Sequence, residues 1–199
     1  MNRKFNDKQL LIASNNPHKI KEISILFNPF GVEVIPVSKF NIEEPEETEE
    51  TFAGNSLLKA KYYSIATKLP ALADDSGISV DALDGFPGVY SARFAGPNKD
   101  FKAAFDLIEQ KLMLKDLKTS SASMTCSLSL YWPDGELVQV EGKVTGNLIF
   151  NDKQRKGFGY DPIFIADGKT ETFAQMPSSE KHEISHRSIA IKKLIEACF

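Results

Sequence analysis

The chain has 199 residues, with 24 Lys and Arg against 27 Asp and Glu and a formal net charge of -3. A hydrophobic fraction of 42% and a charged fraction of 26% exclude intrinsic disorder and a fibrous repeat, and the length suits one large domain or two small lobes. A pI near 5.7 excludes a general nucleic-acid binder, which carries a basic surface, yet leaves room for one small polyanion in a local cationic pocket.

In chain order, the short apolar run over residues 10–13 reads as a buried strand, and residues 19–27 place Ile20, Ile23 and Phe27 on one face at helical spacing. Residues 32–37 read as a second strand and residues 52–67 as a helix, after which Pro70 opens a strand ending at Ala73. Phe101, Ala104, Phe105, Ile108 and Leu112 form the cleanest amphipathic helix. The period then changes. Met124, Cys126, Leu128, Leu130 and Trp132 alternate strictly, which predicts a half-buried strand. Pro133, Asp134 and Gly135 mark a turn, and Val138, Val140 and Val144 continue the alternation, so a hairpin and a mixed sheet are expected. Ser185 is a good N-cap for a last helix running to about Ala197.

The pattern is α/β, with no repeat, no membrane span and no linker that cuts it into independent domains. It reads as a single domain over residues 1–199, with residues 1–9 a short N-terminal extension. Cys126 and Cys198 lie far apart without C-x-x-C spacing, which gives neither a disulfide framework nor a zinc site and makes a cytoplasmic location the expectation. Three local signals fail on inspection. Gly168-Lys169-Thr170 has Ile163 where a phosphate-binding loop needs Gly, Gly157 and Gly159 are followed by Pro162 rather than a third Gly, and Ser185-His186 lacks an identifiable carboxylate partner.

Six constellations could carry chemistry. Ser14-Asn15-Asn16-Pro17-His18-Lys19 lies where a strand hands over to a helix, and suits either an anion cradle or an ordinary capped helix start. Residues 43–50 hold six glutamates, either a solvated loop or a segment that attracts Mg²⁺, and Asn55 and Lys59 follow on one helix face. Asp74-Asp75-Ser76-Gly77 puts two carboxylates at the end of a buried strand. Strand alternation turns them to opposite faces and argues against a shared proton, while an Asx turn closed by Gly77 explains the residues equally well. Residues 85–97 form a Gly/Pro-punctuated loop with Phe86 and Tyr90 expected to pack. Gly157-Phe158-Gly159-Tyr160-Asp161 offers an aromatic face for a flat ligand, or simply a buried loop ring. Lys181, Ser185, His186 and Arg187 gather cations near the start of the last helix, against the macrodipole, as donors to a bound acceptor or as a solvated helix end.

Taken in order, Asp74-Asp75-Ser76-Gly77, Pro87-Gly88-Val89-Tyr90-Ser91-Ala92-Arg93, Gly157-Phe158-Gly159-Tyr160-Asp161 and Ser185-His186-Arg187 resemble the inosine-triphosphate pyrophosphatase family. The resemblance runs from about Leu10 to Leu194. It implies a long, twisted mixed α/β sheet flanked by helices, with two lobes and the active site in the cleft between them. It further implies hydrolysis of ITP, dITP and XTP to the monophosphate and pyrophosphate, with Mg²⁺ as cofactor, in a homodimer, while the charge and hydropathy above predict no nucleic-acid or membrane partner. Carried over by motif, Ser14, Asn15, Asn16, Pro17, His18 and Lys19 hold the triphosphate. Glu47 and Asp75 bind metal, Asp75 is also the base for water, and Lys59 and Asp74 stand in the same phosphate region. Ser76 contacts substrate, Phe158 stacks on the purine, Gly159 and Tyr160 complete its loop, and Asp161, Lys181, His186 and Arg187 surround the base edge. Donors from His186 and Arg187 suit the 6-oxo acceptor of hypoxanthine and xanthine and are left unpaired by the amino group of adenine. Guanine also carries a 6-oxo group, so this polarity does not exclude GTP.

The chain departs from the family pattern at several positions. Ser14-Asn15 replaces a commoner Thr-Gly or Thr-Asn, Glu49 replaces a usual Gly, Gly54 a usual Glu, and Gln175 a common acidic residue. Two rival readings are a pyrophosphatase of the Maf-like group, disfavoured by Phe158 with Ser185-His186-Arg187, and a nucleotide sensor without catalysis, disfavoured by Lys19, Lys59 and Asp75.

Overall fold

In the computed structural model, which describes residues 3–96, 100–151 and 157–199, the first apolar run becomes strand β1 (Gln9–Ile12). Its side chains alternate, Leu10 and Ile12 entering one buried cluster and Leu11 the other. Strands β2 (Glu33–Pro36) and β3 (Ala71–Val80) both pair with β1 in parallel. Parallel neighbours need a crossover, and helices α1 (Pro17–Phe27) and α2 (Phe52–Thr67) supply it. α1 sends Ile23 and Phe27 into the first cluster, and α2 sends Ala60 and Tyr63 into the second, so the two helices cover opposite faces of β1. Thr51 caps α2, its hydroxyl accepting from Gly54 N at 2.9 Å.

Strands β4 (Ser121–Tyr131), β5 (Leu137–Leu148) and β6 (Phe164–Ala166) extend the sheet to the order β2-β1-β3-β4-β5-β6. β4 and β5 are joined by the expected turn, closed by Trp132 N to Glu136 O and Gly135 N to Trp132 O, each 3.0 Å, and β5 pairs with β6 antiparallel. The sheet is therefore mixed. At Gly146 a Cβ would stand 2.1 Å from the Ile165 carbonyl oxygen, so only glycine lets β6 approach. Helix α3 (Phe101–Met113) buries Ala104, Phe105, Ile108 and Leu112 as its periodicity predicts, and Asp100 caps it. Helices α4 (Ser178–Ile184) and α5 (His186–Cys198) meet at Ser185, whose Oγ accepts from Ser188 N at 3.2 Å.

The chain folds as two compact units, one of Met1–Asp75, Cys126–Gly142 and Ile189–Phe199, the other of Ser76–Thr125 and Lys143–Ser188. β3, β4 and β5 each have residues in both, which is why no linker marks the division in the sequence. Among the described residues, no helix is long and apolar enough to cross a membrane.

Several expectations need correction. β3 does not end at Ala73 but runs on through Asp74, Asp75, Ser76 and Gly77 to Val80. Those residue types suggest a turn, yet the strand sits between β1 and β4, and tertiary pairing overrides weak β-propensity. β4 is buried on both faces rather than one, because its polar members Ser127 and Ser129 meet Ser56 of α2, at 3.3 and 2.7 Å. Tyr90 does not pack inward: it is 46% exposed beneath the Arg93 guanidinium, 5.0 Å from its ring centre. Residue 9 belongs to β1, and Phe5 does not trail: its N–H donates to Cys198 O at 2.7 Å and its ring stacks on Phe199. α4 was not legible in the sequence.

Candidate active site

The β-strand period decides how the two adjacent carboxylates are used. On β3, Leu72 joins the cluster that contains α1, while Ala71 and Ala73 join the cluster that contains α2. Continuing the alternation puts Asp74 on the α1 side and Asp75 on the α2 side. Each meets a lysine from the helix on its side. Lys19 Nζ lies 2.5 Å from Asp74 Oδ2, and Lys59 Nζ lies 4.0 Å from Asp75 Oδ1. The pair therefore forms two separate ionic contacts and not a shared-proton dyad. Ser76 follows on β3, two residues beyond Asp74 and on the same side by alternation.

The loop before α1 is closed by its own side chains. Ser14 Oγ accepts from Asn16 N at 3.2 Å, Asn16 Oδ1 accepts from Lys19 N at 3.5 Å, and Asn15 Nδ2 donates to Glu44 Oε2 at 3.5 Å. Pro17 and His18 open α1, and their side chains lie outside the described structure. Lys19 is thereby held with its ammonium on Asp74.

The acidic segment comes to the same place by a different route. Glu47 forms a close ion pair with Lys59, which is nearly fully buried on α2. Burial alone would lower the Lys59 pKa, but the charges of Asp75, Asp74 and Glu47 outweigh it and the pKa is raised, so this lysine stays a cation. Asp75 shows the opposite balance. Burial, helped by Glu47 and Asp74, pushes its carboxyl up to about 6 against the pull of Lys59 and Asn55. A carboxylate poised this close to neutrality suits proton transfer.

The remaining predicted residues gather in the second unit. A 3₁₀ turn over Asp161–Ile163 brings Asp161 to Lys181 of α4, Oδ2 to Nζ 2.5 Å, and the same ammonium lies 5.9 Å from the centre of the Phe173 ring. Phe158 is 39% exposed at the tip of its loop, and Gly159 follows with φ +56. Tyr160 is placed differently from Phe158. Its ring is buried against Phe101 and Phe105, and its hydroxyl donates to Ser91 O at 2.8 Å. His186 and Arg187 form the first turn of α5 and are both buried. Thus Ser14 to Lys19, Glu47, Lys59, Asp74 and Asp75 fall in one unit, and Phe158 to Asp161, Lys181, His186 and Arg187 in the other.

The sequence model of the Ham1 family matches residues 10–197. This chain belongs to the Ham1 family. Along its length it is similar to a dITP/XTP pyrophosphatase of Rhodospirillum centenum, 47% identical over 198 residues that cover 99% of this chain and 98% of that protein. It is also similar to a dITP/XTP pyrophosphatase of Caulobacter vibrioides, 45% identical over 96% of this chain and 98% of that protein. Among solved structures, the Ham1 protein of Staphylococcus aureus superposes with a TM-score of 0.84 at 38% identity, covering 94% of this chain and 96% of that one. A HAM1 protein from Coxiella burnetii does so with a TM-score of 0.87 at 34% identity and the same coverage. The expected α/β sheet is thus the fold that Ham1 proteins share.

The donor set of this Ham1 chain fits a hard divalent cation. Glu47 and Asp75 both offer a carboxylate oxygen near the Lys59 ammonium, and Mg²⁺ is usually held by one or two carboxylates together with substrate phosphates. Among the described residues, no cluster of three or more His, Cys, Asp or Glu side chains forms a complete protein cage, which a metal shared with substrate does not require. Two buried polar side chains escaped the sequence reading of single residues. Asn55 is fully buried and accepts from Glu49 N at 3.0 Å, a role hinted at only by its spacing four before Lys59. Ser91, inside the Pro87-to-Arg93 motif, accepts from Ile78 N at 2.9 Å and donates to Gly88 O at 2.6 Å. Only the density of that motif pointed to it.

Proposed function

We propose that this chain hydrolyses the noncanonical purine nucleotides dITP, ITP and XTP to the nucleoside monophosphate and pyrophosphate, clearing them before incorporation into nucleic acid. The observation that carries the reading is the Asp74–Asp75 pair, turned to opposite sides of one strand and each answered by its own lysine. Its setting supports it, since relatives matching the full length are dITP/XTP pyrophosphatases.

In this reading the reaction is attack of water on the α-phosphorus, with negative charge growing on the departing pyrophosphate. Lys19 and Lys59 carry cationic charge to the phosphates, with Ser14, Asn15 and Asn16 at the loop that receives them, while Pro17 and His18 open the helix behind it. Asp74 holds Lys19 in place. Glu47 and Asp75 would hold Mg²⁺, which when bound supplies Lewis-acid neutralisation of phosphate charge. An Asp75 carboxylate oxygen takes the proton from water, and a carboxyl near 6 is largely ionised at neutral pH and still basic enough to do so. Ser76 contacts substrate beside this strand. On the purine side, the Phe158 ring stacks, Gly159 and the backbone of Tyr160 shape its loop, and Asp161, Lys181, His186 and Arg187 line the base edge. His186 and Arg187 donate to the 6-oxo group, which adenine lacks. The reading includes a homodimer, supported by the family resemblance. It also includes a cytoplasmic location, supported by two buried free thiols.

Product analysis of ITP turnover with Mg²⁺, and again with excess chelator, tests the reaction. IMP and pyrophosphate in equal amounts, lost on chelation, are expected. Phosphate and IDP as products, or turnover that survives chelation, would contradict it.

A further inference from the structure

One buried polar group beside Lys59 has no role in the chemistry above. Asn55 is 0% exposed and lies on α2, one turn before Lys59 and on the same face. Its Oδ1 accepts from the backbone N–H of Glu49 at 3.0 Å, which fastens the acidic segment two residues beyond Glu47. Its Nδ2 closes no hydrogen bond among the described residues, although the amide stands within interaction range of the Asp75 carboxyl. A buried amide donor that closes no hydrogen bond opposes folding, so its retention calls for a reason. Packing of α2 does not supply one. The neighbouring Ser56, also fully buried, already bonds the sheet through Ser127 and Ser129 and donates to Ala53 O at 3.0 Å.

We propose that Asn55 is a positioning residue of the reaction site, tying the backbone of the acidic segment to α2 through Oδ1 and presenting Nδ2 to the Asp75 carboxylate. One side chain then fixes Glu47 and Asp75 relative to each other, and it directs one oxygen of Asp75 while leaving the other for water. Two carboxylates that must hold one cation and one water tolerate little drift, since misplacement of about 1 Å can cost on the order of 100-fold in rate. The inference rests on the function proposed above.

Two variants separate the two ends of the amide. Asn55→Asp keeps an acceptor for Glu49 N and removes the donor, whereas Asn55→Ala removes both. Each is assayed for kcat and KM on ITP, and, without metal or nucleotide, for hydrogen exchange at the Glu49 amide. Asn55→Asp is expected to keep the protection of that amide and to lower kcat by about tenfold or more with KM changed by less than about threefold. Asn55→Ala is expected to lower kcat at least as far and to speed exchange at Glu49 by about tenfold or more. A folded Asn55→Ala with kcat within about threefold of the parent overturns the proposal, as does unchanged Glu49 exchange in that variant. If Asn55→Ala does not fold, a kcat for Asn55→Asp equal to the parent's overturns it. An inactive parent enzyme would instead overturn the proposed function, and Glu49 exchange would then decide the tether by itself.

Discussion

At the residue scale, the account turns on where Asp75 stands. Burial raises its carboxyl from the usual 3.8 to about 6, so the folded chain favours the protonated acid. The stabilisation this gives is complete below about pH 3.8 and is lost as pH rises through about 6. At pH 8 an ionised Asp75 is therefore a cost to the metal-free protein. Asp75→Asn should raise Tm at pH 8 in the presence of chelator, by up to about 3 kcal/mol of stability, and give little gain at pH 4. The same variant should lose on the order of 1000-fold or more in kcat. A melting series across pH and a turnover assay check the two halves. Phe158→Ala should chiefly raise KM for ITP, consistent with about 1–3 kcal/mol for base stacking, and leave Tm nearly unchanged because the ring is 39% exposed.

Glu49 and Gly54 belong at the same scale. A Cβ on residue 54 would stand 2.7 Å from Glu49 Cβ and 3.0 Å from its Cγ. The two departures from the family pattern are therefore one event, since a side chain at 49 fills the space that a side chain at 54 would need. Gly54→Ala alone should destabilise, although alanine is favoured over glycine in a helix by about 1 kcal/mol. In a Glu49→Gly background the same change should stabilise. A double-mutant cycle by urea unfolding reads the change of sign. The sequence showed both substitutions but not their contact, because they lie five positions apart across a loop.

At the scale of elements, periodicity told most of what there was to tell. α1 and α3 stand where the apolar spacing put them, because each buries a single stripe that the sequence repeats. It failed where burial was two-sided or where polar residues found partners inside. Asp74 and Asp75 look like a turn until Lys19 and Lys59 are in place, and Ser127 and Ser129 look like a solvent face until Ser56 meets them. Both misreadings share one physical cause: a polar group is read as exposed when its partner is distant in sequence. Ser185 shows the opposite case, a cap that was legible locally. Ser185→Ala should remove the bond from Ser188 N at the head of α5 and cost about 1 kcal/mol. KM for ITP should rise as well, since His186 and Arg187 form that first turn. Unfolding and kinetics on one preparation measure both.

At the scale of the whole molecule, the sequence carried the α/β class and the order of the motifs, and the resemblance implied two lobes, but no linker located the boundary between the two units. The partition is invisible because it crosses strands rather than loops: Asp75 ends one unit and Ser76 begins the other, in the middle of β3. Cationic and anionic residues that nearly cancel in a net charge of -3 meet in local ion pairs. Lys19 and Lys59 lie among Glu47, Asp74 and Asp75, and Lys181 lies on Asp161. A net charge of -3 gives no general attraction for a polynucleotide, and the lysines of these pairs are the local cations that the proposed function assigns to one nucleotide. Selection of that nucleotide by its 6-oxo group is the central claim. Side-by-side measurement of kcat/KM for pyrophosphate release from ITP, dITP, XTP and ATP tests it most directly. The account predicts that each of the first three exceeds ATP by about 100-fold or more. Equal values for ITP and ATP would contradict it.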